Sequence, residues 1–194
     1  MNRDGFTLIE VTVAIALLSI VMGGIFLLAG SLGDATGAQE AKLTTQDQAR
    51  NAMMLIVRDL RQASAASINW NELPGPSVRY RTPVDLSGNG VPVDSGGSLE
   101  LSPPRIIGRD TDDANNDGVT ERQLVLTQDG AFVRVLANQL LDDRDVNGDG
   151  QLERGVWFEP VGQAVRVTIA AEMRAAPNAP PIISRLTETV FPRN

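Results

Sequence analysis

The chain has 194 residues, room for one domain beyond an anchor, and its 17 basic and 24 acidic side chains give a net charge of −7. It contains neither cysteine nor histidine, which excludes disulfides, zinc–thiolate sites, a lipoprotein-type cysteine anchor and histidine-based triads. The acidity argues against a broad phosphate-backbone footprint, which needs clustered Lys and Arg, so nucleic acid is not indicated as a partner.

In chain order, a polar leader, MNRDG, precedes a long apolar run, GFTLIEVTVAIALLSIVMGGIFLL. From Phe6 to Leu28 this run matches the roughly 20 residues a helix needs to cross a bilayer. Its one charged residue is Glu10. A carboxylate in such a span costs roughly 2.5–3.5 kcal/mol on insertion scales, which marks Glu10 as a functional residue. An ordinary secretory signal fits poorly, because the run is too long and Glu10 interrupts it. A plain anchor leaves Glu10 unexplained.

Gly5, Phe6, Thr7, Leu8, Ile9, Glu10 and Val11, followed by an unbroken apolar helix, resemble the class III signal of type IV pilins and type II secretion pseudopilins. The resemblance implies that a prepilin peptidase cuts after Gly5 and methylates the new amino terminus on Phe6. It further implies that Glu10 pairs with the terminal amine of a neighbouring subunit as a fibre assembles. Physics agrees with that role, since an ammonium and a carboxylate in low dielectric stabilise each other while either alone is penalised.

Gly23, Gly24, Gly30, Gly33 and Gly37 fall where the helix leaves the bilayer, each costing about 1 kcal/mol in an isolated helix, so melting or bending is expected there. Helical periodicity resumes from about Gln39 to Ser67. Ala49, Met53, Ile56, Leu60 and Ala63 form one apolar stripe, and Asp47, Arg50, Arg58, Asp59 and Arg61 fit the wet face. As one helix, residues 6–67 would extend roughly 90 Å. In the family it resembles, that shape is the spine of the subunit.

Residues 69–105 are rich in Pro and Gly, with short strand candidates at Val78–Tyr80 and Leu99–Leu101. An internal repeat follows. Asp113-Ala-Asn-Asn-Asp-Gly-Val-Thr-Glu-Arg recurs as Asp145-Val-Asn-Gly-Asp-Gly-Gln-Leu-Glu-Arg, 32 residues on, and Val133-Arg-Val recurs as Val165-Arg-Val. Each unit (113–136 and 145–168) reads as an acidic loop plus a hairpin, and together they suggest a single sheet. Val165, Val167, Ile169, Ala171 and Met173 alternate with Arg166, Thr168, Ala170, Glu172 and Arg174 as a half-buried strand, and a last strand lies within Ile183–Phe191.

The pattern D-x-N-x-D-G-x-x-E is the front of an EF-hand-type calcium loop, with a Gly at position 6 for the turn. Candidate ligands are Asp113, Asn115, Asp117, Glu121 and the Val119 carbonyl in the first loop. In the second they are Asp145, Asn147, Asp149, Glu153 and the Gln151 carbonyl. Position 12 holds Leu124 and Val156 instead of a bidentate Glu, which makes the sites weak; Asp110, Asp112, Asp142 or Asp143 could supply the missing oxygens. Asx-turns alone are the competing reading. A third, poorer version (Asp85, Ser87, Asn89, Gly90) lacks the acid at position 9 and reads as a turn. Calcium would be structural, stapling a domain without disulfides.

The expected fold is α+β: a long N-terminal helix, half transmembrane and half amphipathic, packed on an antiparallel β-sheet in pilin-like fashion. Its segments are a leader (1–5), a membrane and assembly helix (6–29), the amphipathic spine (30–67) and a β-rich head (68–194). The acidic loops, the V-R-V-x-I strand and the terminal Arg-Asn resemble PilW-type minor pilins, with J-type pseudopilins as neighbours. This implies a non-enzymatic fibre subunit at or near the tip that helps begin assembly. It would sit in the bacterial inner membrane with the head outside the cytoplasm before joining other pilin subunits. The alternative is a membrane-anchored, calcium-stabilised binding module for adhesion, DNA or secreted substrate.

Overall fold

The computed structural model describes residues 8–193, which form one α-helix, two 3-10 turns and seven strands. Helix α1 spans Leu8–Gln62, about 80 Å at 1.5 Å per residue. It runs through all five glycines without the expected interruption. Their cost of about 1 kcal/mol each is spread over several turns, between runs of Ala, Leu and Ile whose hydrogen bonds form cooperatively. In the apolar half, the Thr12 and Ser19 hydroxyls donate to the carbonyls of Ile9 (2.9 Å) and Ile15 (2.8 Å). Polar side chains in the span are thereby satisfied by the helix itself.

The second half of α1 carries the head. Ala49, Met53, Ile56, Leu60 and Ala63 are all buried, and Ala52 and Val57 widen the stripe. Asp59 departs from the expected wet face: it is only 5% exposed. Arg134 reaches it at 3.2 Å, Arg58 at 3.3 Å and the Tyr80 hydroxyl at 3.5 Å. A helical wheel cannot see an arginine that arrives from a strand 75 residues later. The helix also stops short of Ser67, because the N–H groups of Ser64 and Ala65 donate to the carbonyls of Arg81 (3.1 Å) and Arg193 (2.8 Å). Short 3-10 turns at Ala65–Ser67 and Trp70–Glu72 follow.

The head contains two antiparallel sheets, not the single sheet that the repeat suggested. Strands β1 (Ser77–Tyr80), β2 (Arg105–Arg109), β3 (Leu124–Gln128) and β4 (Ala131–Ala137) form the first, in that order. Strands β5 (Val156–Val161), β6 (Ala164–Arg174) and β7 (Pro181–Val190) form the second. The repeated hairpins are β3–β4 and β5–β6, one in each sheet. An Asp129-Gly130 turn with φ of 52° and 79° closes the first hairpin, the left-handed pair that matches strand twist.

The hairpins do not pair edge to edge because β6 outlasts β5, and the chain leaving β4 takes the edge this exposes. Leu141 N–H donates to the Ala170 carbonyl (2.9 Å) and Glu172 N–H to the Gln139 carbonyl (2.8 Å). This also breaks the expected alternation in β6. Val165, Val167 and Ile169 are buried and Arg166 exposed as expected, but Ala170, Ala171 and Glu172 are all buried, while Met173 is half-buried. Glu172, 4% exposed, accepts from Arg144 at 2.8 Å. Leu99 and Leu101 make only isolated bridges, to Val93 and Pro83. Tyr80, Ile107, Leu124, Phe158 and Ile169 meet the α1 stripe in one core shared by both sheets.

Candidate functional site

Two places carry chemistry: the naked half of α1 and the acidic loops of the head. Along α1, every large apolar residue from Leu8 to Leu32 is exposed, including Ile15, Leu18, Phe26 and Leu28. By length and composition this segment can cross a membrane. Glu10 lies in the first turn of α1, where a carboxylate also complements the helix dipole. Gly5 and Phe6 lie outside the described residues.

The acidic loops are built on one hydrogen-bonding skeleton. In the first, Asp113 accepts the N–H groups of Asp117 (2.9 Å) and Gly118 (3.0 Å). In the second, Asp145 accepts those of Gly148 (2.6 Å) and Gly150 (2.8 Å). At position 5, Asp117 and Asp149 accept from the N–H groups two residues on, those of Val119 (2.9 Å) and Gln151 (2.8 Å). The glycine at position 6 has φ of 80° in the first loop and 82° in the second, a region only glycine enters without strain. Asn115 and Asn147 donate side-chain N–H to Asp117 (2.8 Å) and Asp149 (3.0 Å). Positions 1, 3 and 5 are thus brought together in both loops.

The ninth position divides them. Glu153 folds back to accept the Val146 N–H at 2.7 Å. Glu121 is exposed, and the equivalent N–H, that of Ala114, is taken by Asp110 at 2.8 Å. The loop at Asp85, the third and poorer version of the pattern, is a turn built in a similar way. Asp85 accepts from Gly88 (2.7 Å), Asn89 (3.1 Å) and Gly90 (2.8 Å), and Asn89 accepts from Val91 N–H (2.9 Å). Its ninth-position acid is supplied from further along the chain by Glu100, which accepts Leu86 N–H at 2.6 Å. The shared spacing of Asp, then Asn or Asp four residues on, then Gly, was the available signal.

These bonds set the protonation of the loops. The Gly90 N–H beside Asp85 and the Gly150 N–H beside Asp145 hold both carboxyls below the ordinary aspartate range. Asp117 is lowered too, first by the Gln123 side chain, which donates at 2.7 Å, and then by the Val119 N–H. In the core, burial, with the Asp59 carboxylate second, pushes the Tyr80 phenol far up.

For a divalent cation, the donor chemistry fits an oxygen-seeking ion: carboxylates and amides at positions 1, 3 and 5 and a backbone carbonyl at 7. Among the described residues, no three acidic side chains converge as a ready-made ligand set.

Residues 1–26 match the family described as the prokaryotic N-terminal methylation motif. No curated protein and no solved structure matches the chain. The chain therefore opens on a prepilin signal of the type IV pilin kind, which implies processing by prepilin peptidase and assembly with other pilins, and it continues into a pilin-like α+β architecture.

Proposed function

We propose that this protein is a minor pilin or pseudopilin of the PilW type, a subunit that primes a type IV pilus-like fibre or sits near its tip. Prepilin peptidase cuts after Gly5 and methylates Phe6, and α1 holds the subunit in the inner membrane until it polymerises. Glu10 then receives the new ammonium of an adjacent subunit. The observation that carries this reading is the continuity of the matched motif with a helix whose first half is apolar and uncovered by the rest of the chain. Such a surface needs lipid first and other apolar helices afterwards.

The test is the mass and terminal chemistry of the mature protein from its native membrane. A start at methylated Phe6, together with loss of fibre incorporation in Glu10→Ala while the head stays folded, is the expected result. A start at Met1 makes the chain an anchored binding module instead.

Structural calcium in the loops is the second part of the proposal, supported by the shared skeleton and the oxygen donors at positions 1, 3 and 5. Asp113, Asn115 and Asp117 would hold one ion, and Asp145, Asn147 and Asp149 another. At ten times the dissociation constant, one site adds about 1.4 kcal/mol of stability. Calcium should therefore raise the thermal midpoint of the head and chelator should lower it, with half of the shift lost in Asp145→Ala. A midpoint indifferent to calcium leaves the loops as turns.

A further inference from the structure

Beside the first acidic loop, between β2 and the segment that follows β4, lies a cleft of about 840 Å³. Arg109, Asp110, Asp112, Glu121, Asp142 and Asp143 line it, five carboxylates against one guanidinium. Arg109 is already committed: its Nη2 donates to the Leu141 carbonyl (2.6 Å) and to Asp143 (2.7 Å). Among the described residues, no Lys or Arg nitrogen comes within 4.0 Å of the other four acids. Asp110 is 2% exposed, and while its Oδ1 accepts the Ala114 N–H, its buried Oδ2 has no hydrogen-bond partner. A buried carboxylate oxygen with no donor is costly, and the donor that relieves it best is cationic.

We propose that this cleft receives an arginine or lysine side chain from a partner protein. The room available far exceeds one ion with its ligands, and the acids do not converge on a common point. Ile106, Val125 and Phe132 give the cleft an apolar wall, which a metal ion would not use but against which the methylene stem of a basic side chain packs. The charged head then meets Asp110 at the floor, and Asp112, Glu121 and Asp142 give the approach its long-range attraction. The inference stands independently of whether the chain enters a fibre or binds calcium.

The experiment uses the full chain in non-ionic detergent and a fluorescein-labelled peptide of four Arg-Gly repeats, with the Glu-Gly peptide as control. Saturable binding of the arginine peptide is expected, weakened about tenfold or more by Asp110→Asn. Asp47→Asn, an exposed acid on α1 outside the cleft, should leave it within about twofold. Should Asp110→Asn lose its fold by circular dichroism, the double variant Asp112→Asn/Asp142→Asn serves instead, because it changes one exposed and one half-buried acid. Equal weakening by Asp47→Asn would mean diffuse attraction to an acidic protein and would overturn the proposal. So would the absence of saturable binding, or stoichiometric uptake of calcium chloride alone that Asp110→Asn abolishes.

Discussion

The two acidic units begin as near copies and end differently. Their loops share the bond from the position-6 glycine N–H to the first Asp, the glycine conformation and the Asn–Asp contact. Eight to ten residues into the repeat they separate. Where the first unit has Gln123, latched onto Asp117, the second has Gly155. A Cβ at Gly155 would lie 2.3 Å from the Leu141 carbonyl and 2.8 Å from the Arg109 guanidinium. The first loop is therefore braced by its own side chain, and the second is pressed against the strand connection. A loop motif dictates the bonds inside the loop, and the neighbours decide what its flanks do.

Four perturbations break or sharpen that contrast. The largest effect is expected from Gly155→Ala, which forces backbone apart at the contact between the units and should cost about 3 kcal/mol in chemical unfolding of the head. Glu172→Gln comes next. It weakens the tie to Arg144, whose side chain is 35% exposed, and a loss of about 2 kcal/mol is expected, below the full cost of breaking a buried pair. Gln123→Ala removes the brace from the first loop alone, for about 1 kcal/mol. In an NMR titration the Asp117 carboxyl should then move up toward its ordinary value while Asp145 stays lowered.

The smallest effect is the response to acid. Asp85, Asp117 and Asp145 are all held below the ordinary value of about 3.9. A depressed folded-state value contributes stability that is present above the unfolded value and is lost as pH falls through the folded one. Hydrogen exchange at Gly90, Val119 and Gly150, whose N–H groups these three carboxylates accept, should therefore stay slow down to about pH 4 and accelerate only below it, with Val119 alone sensitive to Gln123→Ala.

Much of this architecture could be read from sequence because it depends on local repeats of hydrophobicity. The apolar run, the stripe from Ala49 to Ala63 and the strand from Val165 to Ile169 declare themselves by period. Asp59 and Glu172 do not, because each is buried by an arginine from elsewhere in the chain, Arg134 and Arg144. The division into two sheets was hidden for a related reason: repeat symmetry says nothing about which strand runs on past its partner. The loop at Asp85 is legible as a turn from its spacing, but not the part that Glu100 plays in it, because that acid comes from outside the repeat.

The junction at the end of α1 bears on how the molecule carries load. The N–H of Ala65 and the N–H of Arg193 bond across to Arg193 and Ala63 (2.8 and 2.9 Å), while Ser64 is bonded to Arg81. A pull along the helix therefore does not peel away one turn at a time. It strains bonds to two separate segments at once, in shear, before any strand of the head must move. The spine and head are thereby tied into one mechanical unit at this junction.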